Sequence, residues 1–357
     1  MKFRSVLTST LSLASSLILG VALITSPPLR AQSATAATGA GCTPKGDLSF
    51  VCGVVNVEDF LPVAGGRWLL AGSLQSASAG LYLIDTAAKT FQAVNLSIAA
   101  KPDPRYPCTA PDLKALATHG LDVTPPGHGG VAIVYAINHA GRDAVEVFHL
   151  NPAKGTAEWV GCVVTPAGAS PNSVAAVPGG GFVVTKFLDN SDKEGIQHVL
   201  AGQINGVVYL WLPGKGFSEV SGTHLSGDNG IVVSPDSKWL FVNAWGTREI
   251  YRVALPGHGN DKGERSSLKV DFHPDNLRWA PGGKIFVTGQ FIDDAKHLDG
   301  PLGWATVLLD PQTMKLTPVV KEPGYAQFGG ATSTVQTGST LWFGTFRGDR
   351  IAYRPAP

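Results

Sequence analysis

Polar residues open a series of short apolar segments: Glu58-Asp59 before F-L-P-V, His119 before G-L-D-V, Asn172 before S-V-A-A-V, Asn229 before G-I-V-V, and Asp275-Asn276 before L-R-W. They recur at intervals of roughly 50 to 60 residues. Carboxylates and amides gathered in an interior need partners, because an unpaired buried charge is costly. A Ca2+ ion satisfies such a set, since it takes about 6–8 oxygens from Asp, Glu, Asn, carbonyls and water. Glu58, Asp59, Asn172, Asn229, Asp275 and Asn276 suit it in charge and donor type, whereas zinc would need more His or Cys. Asn and Asp also precede strands for local reasons, through turn hydrogen bonds. The shared register favours a metal over turn chemistry, as do the pairs Glu58-Asp59 and Asp275-Asn276. His119, beside this set, titrates near neutral pH and is placed to take a proton from water. His139 ends the next apolar segment, I-N-H, and either orients His119 and relays its proton or is a lone structural histidine. No G-x-S-x-G elbow supports a serine hydrolase.

These residues need a scaffold that brings distant strand starts together. Six copies of one pattern, a short strand, a Pro/Gly/Asp turn and a second apolar strand, begin near Asp59, His119, Asn172, Asn229, Asn276 and Gly329. Second hairpins follow each copy, starting at Gly80, Ala144, Gly206, Arg248, Ala305 and Arg350. About four strands per unit and six units predict an all-β fold, a six-bladed β-propeller around a calcium-binding axis. In a propeller the first strand of each blade lies nearest the axis, so the strand-opening residues meet at one end of it. Phe187, Trp245, Phe291 and Phe346 end inner hairpins and are expected to wall an apolar pocket there, or to pack between blades.

The chain of 357 residues carries 28 Lys+Arg and 27 Asp+Glu, a net charge of +1, which excludes the basic footprint of a nucleic-acid binder. Lys2 and Arg4, the apolar stretch Leu11 to Ile24 and the A-x-A exit Ala34-Thr35-Ala36 predict a secretory signal peptide over 1–36. The propeller then occupies 37–357, with no membrane span after cleavage, in a periplasmic or extracellular compartment. Four cysteines in an exported chain favour disulfides. Of three possible pairings, proximity suggests Cys42–Cys52 and Cys108–Cys162, the second tying the segment before His119 to the next blade.

Taken together, V-E-D-F at Glu58, T-H-G-L-D-V at His119, I-N-H at His139, P-N-S-V-A-A-V at Asn172, D-N-G-I-V-V-S-P-D at Asn229 and P-D-N-L at Asp275 resemble the paraoxonase-type lactonases. These belong to the wider six-bladed group of gluconolactonase and senescence-marker-like proteins. The resemblance runs from about Glu58 to Gln290. It implies a catalytic calcium held by Glu58, Asn172, Asn229, Asp275 and Asn276, with His119 and His139 as the histidine pair. It also implies a second, structural calcium on Asp59, the Leu121 carbonyl and an Asp after the first Asn. That last position is Ser173 here, which Asp122 partly compensates. The family's further acid falls at Phe187, with Asp189 two residues on.

The expected activity is hydrolysis of a small-molecule lactone or aryl ester, by a metal-polarised carbonyl and His-assisted water attack. Two other classes remain open at this point: a calcium-stabilised propeller that only binds, and a strictosidine-synthase-like propeller, which needs a glutamate acid/base and no metal.

Overall fold

The computed structural model describes residues 42–74, 80–125, 131–257, 264–292, 298 and 300–357. The chain divides into two units, Met1–Gln32 and Ser33–Pro357; the second carries all the elements described below. The signal peptide expected over 1–36 lies outside the described residues.

Each hairpin pattern in the sequence forms part of an antiparallel sheet, and six sheets make a six-bladed β-propeller. Blade 1 consists of Phe60–Val63, Trp68–Gly72, Leu81–Asp85 and Thr90–Ala93. Blade 2 consists of Thr118–Val123, Ala132–Asn138, Ala144–Asn151 and Thr156–Val164, with Asn95–Ile98 added in parallel on its outer edge. Blade 3 is built from Ala169–Val177, Gly181–Asp189, Val207–Leu212 and Gly216–Glu219, with a short helix, Gly195–Leu200, between its second and third strands. Asp228–Val233, Trp239–Ala244, Glu249–Ala254 and Arg265–Lys269 make blade 4. His273–Trp279, Ile285–Gln290, Trp304–Asp310 and Lys315–Glu322 make blade 5.

Blade 6 supplies only three strands from the end of the chain: Ala331–Thr337, Thr340–Thr345 and Arg350–Pro355. Its fourth strand is Ser49–Cys52 from the beginning, paired antiparallel with Ser49 opposite Tyr353 and Cys52 opposite Arg350. This closes the ring, because the two ends of the chain are held in one sheet. The Cys42–Cys52 disulfide anchors the closing strand at its end.

Successive strand residues point to opposite faces, so a strand packed on both sides reads as an unbroken apolar run. Ala132–Asn138 in blade 2 behaves this way. Val134 and Ala136 face Leu70 and Leu83 of blade 1, while Tyr135 and Ile137 face Val174 and Phe182 of blade 3. Among the described residues there are six such apolar clusters, one between each pair of neighbouring blades. The fully buried Trp342 and Phe60 fill the junction of blades 6 and 1. Burying a side chain of that size stabilises by roughly 1.5–3 kcal/mol, so the ring is held by its radial interfaces.

A strap between blades 1 and 2 positions the strand that begins at His119. Tyr106, nearly inaccessible, places its hydroxyl 3.0 Å from that of Tyr135 and donates to the Gly180 carbonyl at 2.8 Å. The strap is fastened by the Cys108–Cys162 disulfide, with Cα atoms 5.5 Å apart. Cys162 lies in the fourth strand of the blade that carries His119, inside the added edge strand Asn95–Ile98, so the bridge ties the segment before His119 to that blade. No helix among the described residues is long and apolar enough to cross a membrane.

Candidate metal centre and histidine relay

The inner strands of blades 2 to 5 share an irregularity that the sequence repeats do not reveal. Their pairing slips between Thr118 and Leu121, between Pro171 and Val174, between Asp228 and Ile231, and between Pro274 and Leu277. The residues at the slips are His119, Asn172, Asn229, and Asp275 with Asn276. A β-bulge bends its strand and re-aims a side chain that regular pleating would send elsewhere. Glycine follows the key residue in two of these bulges. A Cβ on Gly120 would lie 2.5 Å from the Asn172 carbonyl oxygen, and one on Gly230 would lie 2.3 Å from that of Asp275. Only glycine permits so close an approach of neighbouring inner strands.

Four of the predicted donors are linked at the axis by contacts. Asn276 Nδ2 donates to Glu58 Oε1 at 2.6 Å. Glu58 Oε2 lies 3.5 Å from His119 Nε2, and Asn172 Nδ2 faces the same nitrogen at 3.4 Å. The Asp275 carboxyl adjoins that of Glu58, and Gln290 Nε2 donates to Asp275 Oδ2 at 2.6 Å. Asn229 stands at the same register, with Gly230 packed against Asp275 and Asn276. All five predicted ligands of the first ion are buried. Each keeps one oxygen without a hydrogen-bond partner: Glu58 Oε2, Asn172 Oδ1, Asn229 Oδ1, Asp275 Oδ1 and Asn276 Oδ1. Asp228, Asn243 and Ser266 also hold buried oxygens without a partner, but none of these was in the predicted set.

The electrostatics match this geometry. Burial and the neighbouring Asp59 push the Glu58 carboxyl up to about 8, and burial beside Glu58 pushes Asp275 well above the usual carboxylate range. Two buried carboxyls side by side resist double ionisation, and a bound cation reverses that preference. Among the described residues no three His, Cys, Asp or Glu side chains form a metal-binding group. The five unpartnered oxygens belong to two carboxyls and three amides, a set that would suit a hard, oxygen-seeking ion such as Ca2+.

A relay runs outward from the same point. His119 Nδ1 and His139 Nε2 are 2.9 Å apart, and His139 Nδ1 is 2.7 Å from Asp143 Oδ1. Asn190 Nδ2 donates to Asp143 Oδ2 at 2.8 Å. These partners assign the protons. Asp143 accepts from His139 Nδ1–H, His139 Nε2 accepts from His119 Nδ1–H, and His119 Nε2 is left with a lone pair facing Glu58 and Asn172. Burial pulls His119 down to about 4 and also lowers His139, so both rings are neutral at neutral pH. Burial would raise Asp143, but its hydrogen bond and charge interaction with His139 prevail and hold it below its ordinary value.

Asp59 does not join this group. It is fully buried one residue from Glu58, and its carboxylate is taken up by Arg278, Ser333 Oγ and the backbone N–H groups of Phe60 and Leu121. The Leu121 carbonyl accepts from the same guanidinium at 2.7 Å. The expected ligands of a second ion thus already hold a cation, and they do not fit a calcium as they stand. Ser173 instead accepts a long bond from Ile231 N–H at 3.4 Å, and Asp122 Oδ2 accepts from Ala176 N–H at 2.8 Å. Asp189 pairs with Lys186 Nζ at 3.1 Å and with Ser191 Oγ at 2.6 Å.

The aromatic expectation divides. Phe187 and Trp245 meet edge to face at 5.7 Å, and Trp245 Nε1 bonds to Gln290 Oε1, the residue that holds Asp275. Phe291 packs on Phe272 within blade 5, and Phe346 lines a separate cavity with Leu302 and Phe328. Sequence reasoning missed Asp143, Asn190, Gln290 and Arg278. Only Asp143 had a local signal, the His-Ala-Gly-Arg-Asp turn that returns the chain with Gly141 at φ 76°.

No protein-family model matches the chain, and no curated protein is significantly similar to it in sequence. Its fold is shared by solved structures. A gluconolactonase from Xanthomonas campestris is 18% identical with a TM-score of 0.54, over 87% of this chain and 89% of that one. A luciferin-regenerating enzyme is 13% identical with a TM-score of 0.55, over 86% and 93%. A PQQ-bound aldose sugar dehydrogenase from Streptomyces coelicolor is 14% identical with a TM-score of 0.53, over 88% and 99%. The likeness is one of fold. Two of these neighbours are named for different chemistries, hydrolytic and redox, so the choice of chemistry rests on the site.

Proposed function

We propose that this chain is an exported calcium-dependent hydrolase that opens lactones or cleaves aryl esters. The observation that carries the reading is the set of five unpartnered buried oxygens, one from each of Glu58, Asn172, Asn229, Asp275 and Asn276, beside His119 Nε2, whose lone pair faces Glu58 at 3.5 Å and Asn172 Nδ2 at 3.4 Å. Those five residues would hold Ca2+, whose chemistry when bound is to polarise a carbonyl and stabilise the oxyanion formed on water attack. His119 Nε2 accepts the proton of the attacking water. The positive charge that develops on its ring is stabilised through Nδ1–H and His139 by the Asp143 carboxylate. As the tetrahedral adduct collapses, His119 returns the proton to the leaving oxygen, so that one water is consumed and a lactone opens to a hydroxy acid, or an aryl ester gives an acid and a phenol. Phe187 and Trp245 offer apolar surface near Gln290 and Asp275, which favours hydrophobic lactones or aryl esters over sugar lactones. The two disulfides suit an oxidising compartment, in keeping with export.

The test is a panel of lactones and aryl esters assayed with calcium, with chelator, and after calcium is restored. Hydrolysis should vanish on chelation and return with Ca2+. His119→Gln should keep the metal and the fold while losing ~10²–10⁴-fold in rate. Full turnover in that variant would leave a calcium-stabilised binding module as the better reading.

A further inference from the structure

We propose that Arg278 is a built-in second cation of the propeller axis and limits the channel to one divalent ion. Arg278 lies two residues after Asn276 on the inner strand of blade 5, so both side chains turn to the same face. Its guanidinium is almost wholly buried and makes three contacts: Nε with Asp59 Oδ1 at 3.0 Å, Nη2 with Asp59 Oδ2, and Nη2 with the Leu121 carbonyl at 2.7 Å. Asp59 is also gripped by Ser333 Oγ at 2.9 Å and by the N–H groups of Phe60 and Leu121 at 2.9 and 3.0 Å. The carboxylate is thus fixed by three blades besides the one that brings the arginine.

Two carboxylate oxygens and a carbonyl around one positive centre, with the Ser333 hydroxyl bonded to the same carboxylate, form the kind of cage that hard cations occupy. Here a side chain occupies it. The opposite side of Arg278 faces a cavity of about 180 Å³, which is also lined by Leu61, Asp122, Ala176, Val233 and Trp279. Shortening Arg278 would therefore join the guanidinium's space to an existing cavity, with Asp59 and Asp122 both within it. A cavity of this size and polarity admits water and a hydrated ion to complete the coordination. The guanidinium is covalently held and cannot be chelated, so the Asp59 level of the axis stays neutralised when calcium is scarce.

This inference rests on the proposed function only for the count of one ion in the wild type; the role of Arg278 is read from a difference. The experiment is equilibrium dialysis of the purified exported chain with radioactive calcium, with melting temperature followed against calcium. Arg278→Ser should bind one more Ca2+ per chain than the wild type, and its melting temperature should rise with calcium more steeply. Arg278→Lys, which keeps the charge, should bind the wild-type number. Arg278→Ser combined with Asp59→Asn should lose the extra ion. If Arg278→Ser is unfolded without calcium, folding on addition of calcium is the same result read as stability. Equal counts in Arg278→Ser and wild type overturn the proposal, as does a variant that stays unfolded up to roughly 10 mM calcium, above the range of weak oxygen-ligated sites. Two ions in the wild type, with Arg278 in place, also overturn it. No ion in the wild type but one in Arg278→Ser would refute the proposed catalytic calcium and leave the assignment of Arg278 standing.

Discussion

Asp143→Asn tests the relay without touching any residue that would hold the ion. In the wild type the Asp143 carboxylate accepts from His139 Nδ1–H at 2.7 Å and from Asn190 Nδ2 at 2.8 Å. The amide can keep its oxygen on His139, which preserves the tautomers, but its NH2 then meets the NH2 of Asn190 and one of the two must turn. The main loss is charge. A hydrogen bond to a charged group contributes about 1.5–3 kcal/mol and a neutral one about 0.5–1.5, a difference of roughly 1–1.5 kcal/mol. The Asp143 side chain is 26% exposed, so solvent screening reduces this to about 1 kcal/mol. That predicts a roughly fivefold lower rate. The carboxylate stabilises the protonated relay and so raises the effective pKa of the base. Its removal should move the acidic limb of kcat/KM to lower pH by ~0.5–1 unit. Because burial holds His119 at about 4, initial rates on the best substrate from about pH 3 to 8, at saturating calcium and with bound metal quantified, measure both effects. A variant with wild-type calcium content, whose rate and acidic limb both lie within twofold of wild type, would show that Asp143 does not assist His119.

Other outcomes follow from separate parts of the molecule. Chelation should lower the melting temperature, because an ion bound only by the native state stabilises it by about 4 kcal/mol at 1,000 times its Kd, and Mg2+ should restore little because it demands a tighter octahedron. Gly230→Ala places a Cβ 2.3 Å from the Asp275 carbonyl oxygen, so it should cost ~1–3 kcal/mol in a denaturant melt and weaken calcium binding, while Gly300→Ala, with open space around it, should do neither. Asp85 is held below the usual carboxylate range first by its hydrogen bond to Arg67, with help from Ala87 and Ala88 N–H. Its contribution is present above its unfolded pKa of about 3.9 and is lost as pH falls through the lower folded value, so Asp85→Asn should flatten that acid limb in melts between about pH 6 and 2. Reduction of Cys108–Cys162, which closes 54 residues, should destabilise by about 4 kcal/mol in the chain-entropy model, more than the ~3 kcal/mol of the shorter Cys42–Cys52 loop.

Much of the architecture was legible in the residues. Segments such as F-V-V-T and A-I-V-Y-A-I, separated by Pro-Gly and Asn-Pro turns, mark strands because side-chain alternation and turn chemistry act over a few residues. The six repeats at Asp59, His119, Asn172, Asn229, Asn276 and Gly329 all became inner hairpins. The last unit, ending at R-I-A-Y-R with one strand too few, carried the only sign that the ring would close with Ser49–Cys52. Both disulfide pairings also followed from proximity in sequence.

The sequence by itself determined that polar residues open the inner strands in one register, and which types they are. Tertiary structure decided what each of them faces. Asp59 and Glu58 are adjacent and chemically alike, yet one is neutralised by Arg278, 219 residues away, and the other keeps a bare oxygen beside His119. The bulges that aim His119, Asn172, Asn229 and Asp275 inward, and the glycines that let neighbouring strands close on them, arise from packing six blades around one axis. The relay through Asp143 to Asn190 likewise joins two blades. The physical reason is range: strand period and turn preference are properties of neighbours along the chain. The pairing or orphaning of a buried polar atom depends on residues from other blades, and only the closed ring brings those together.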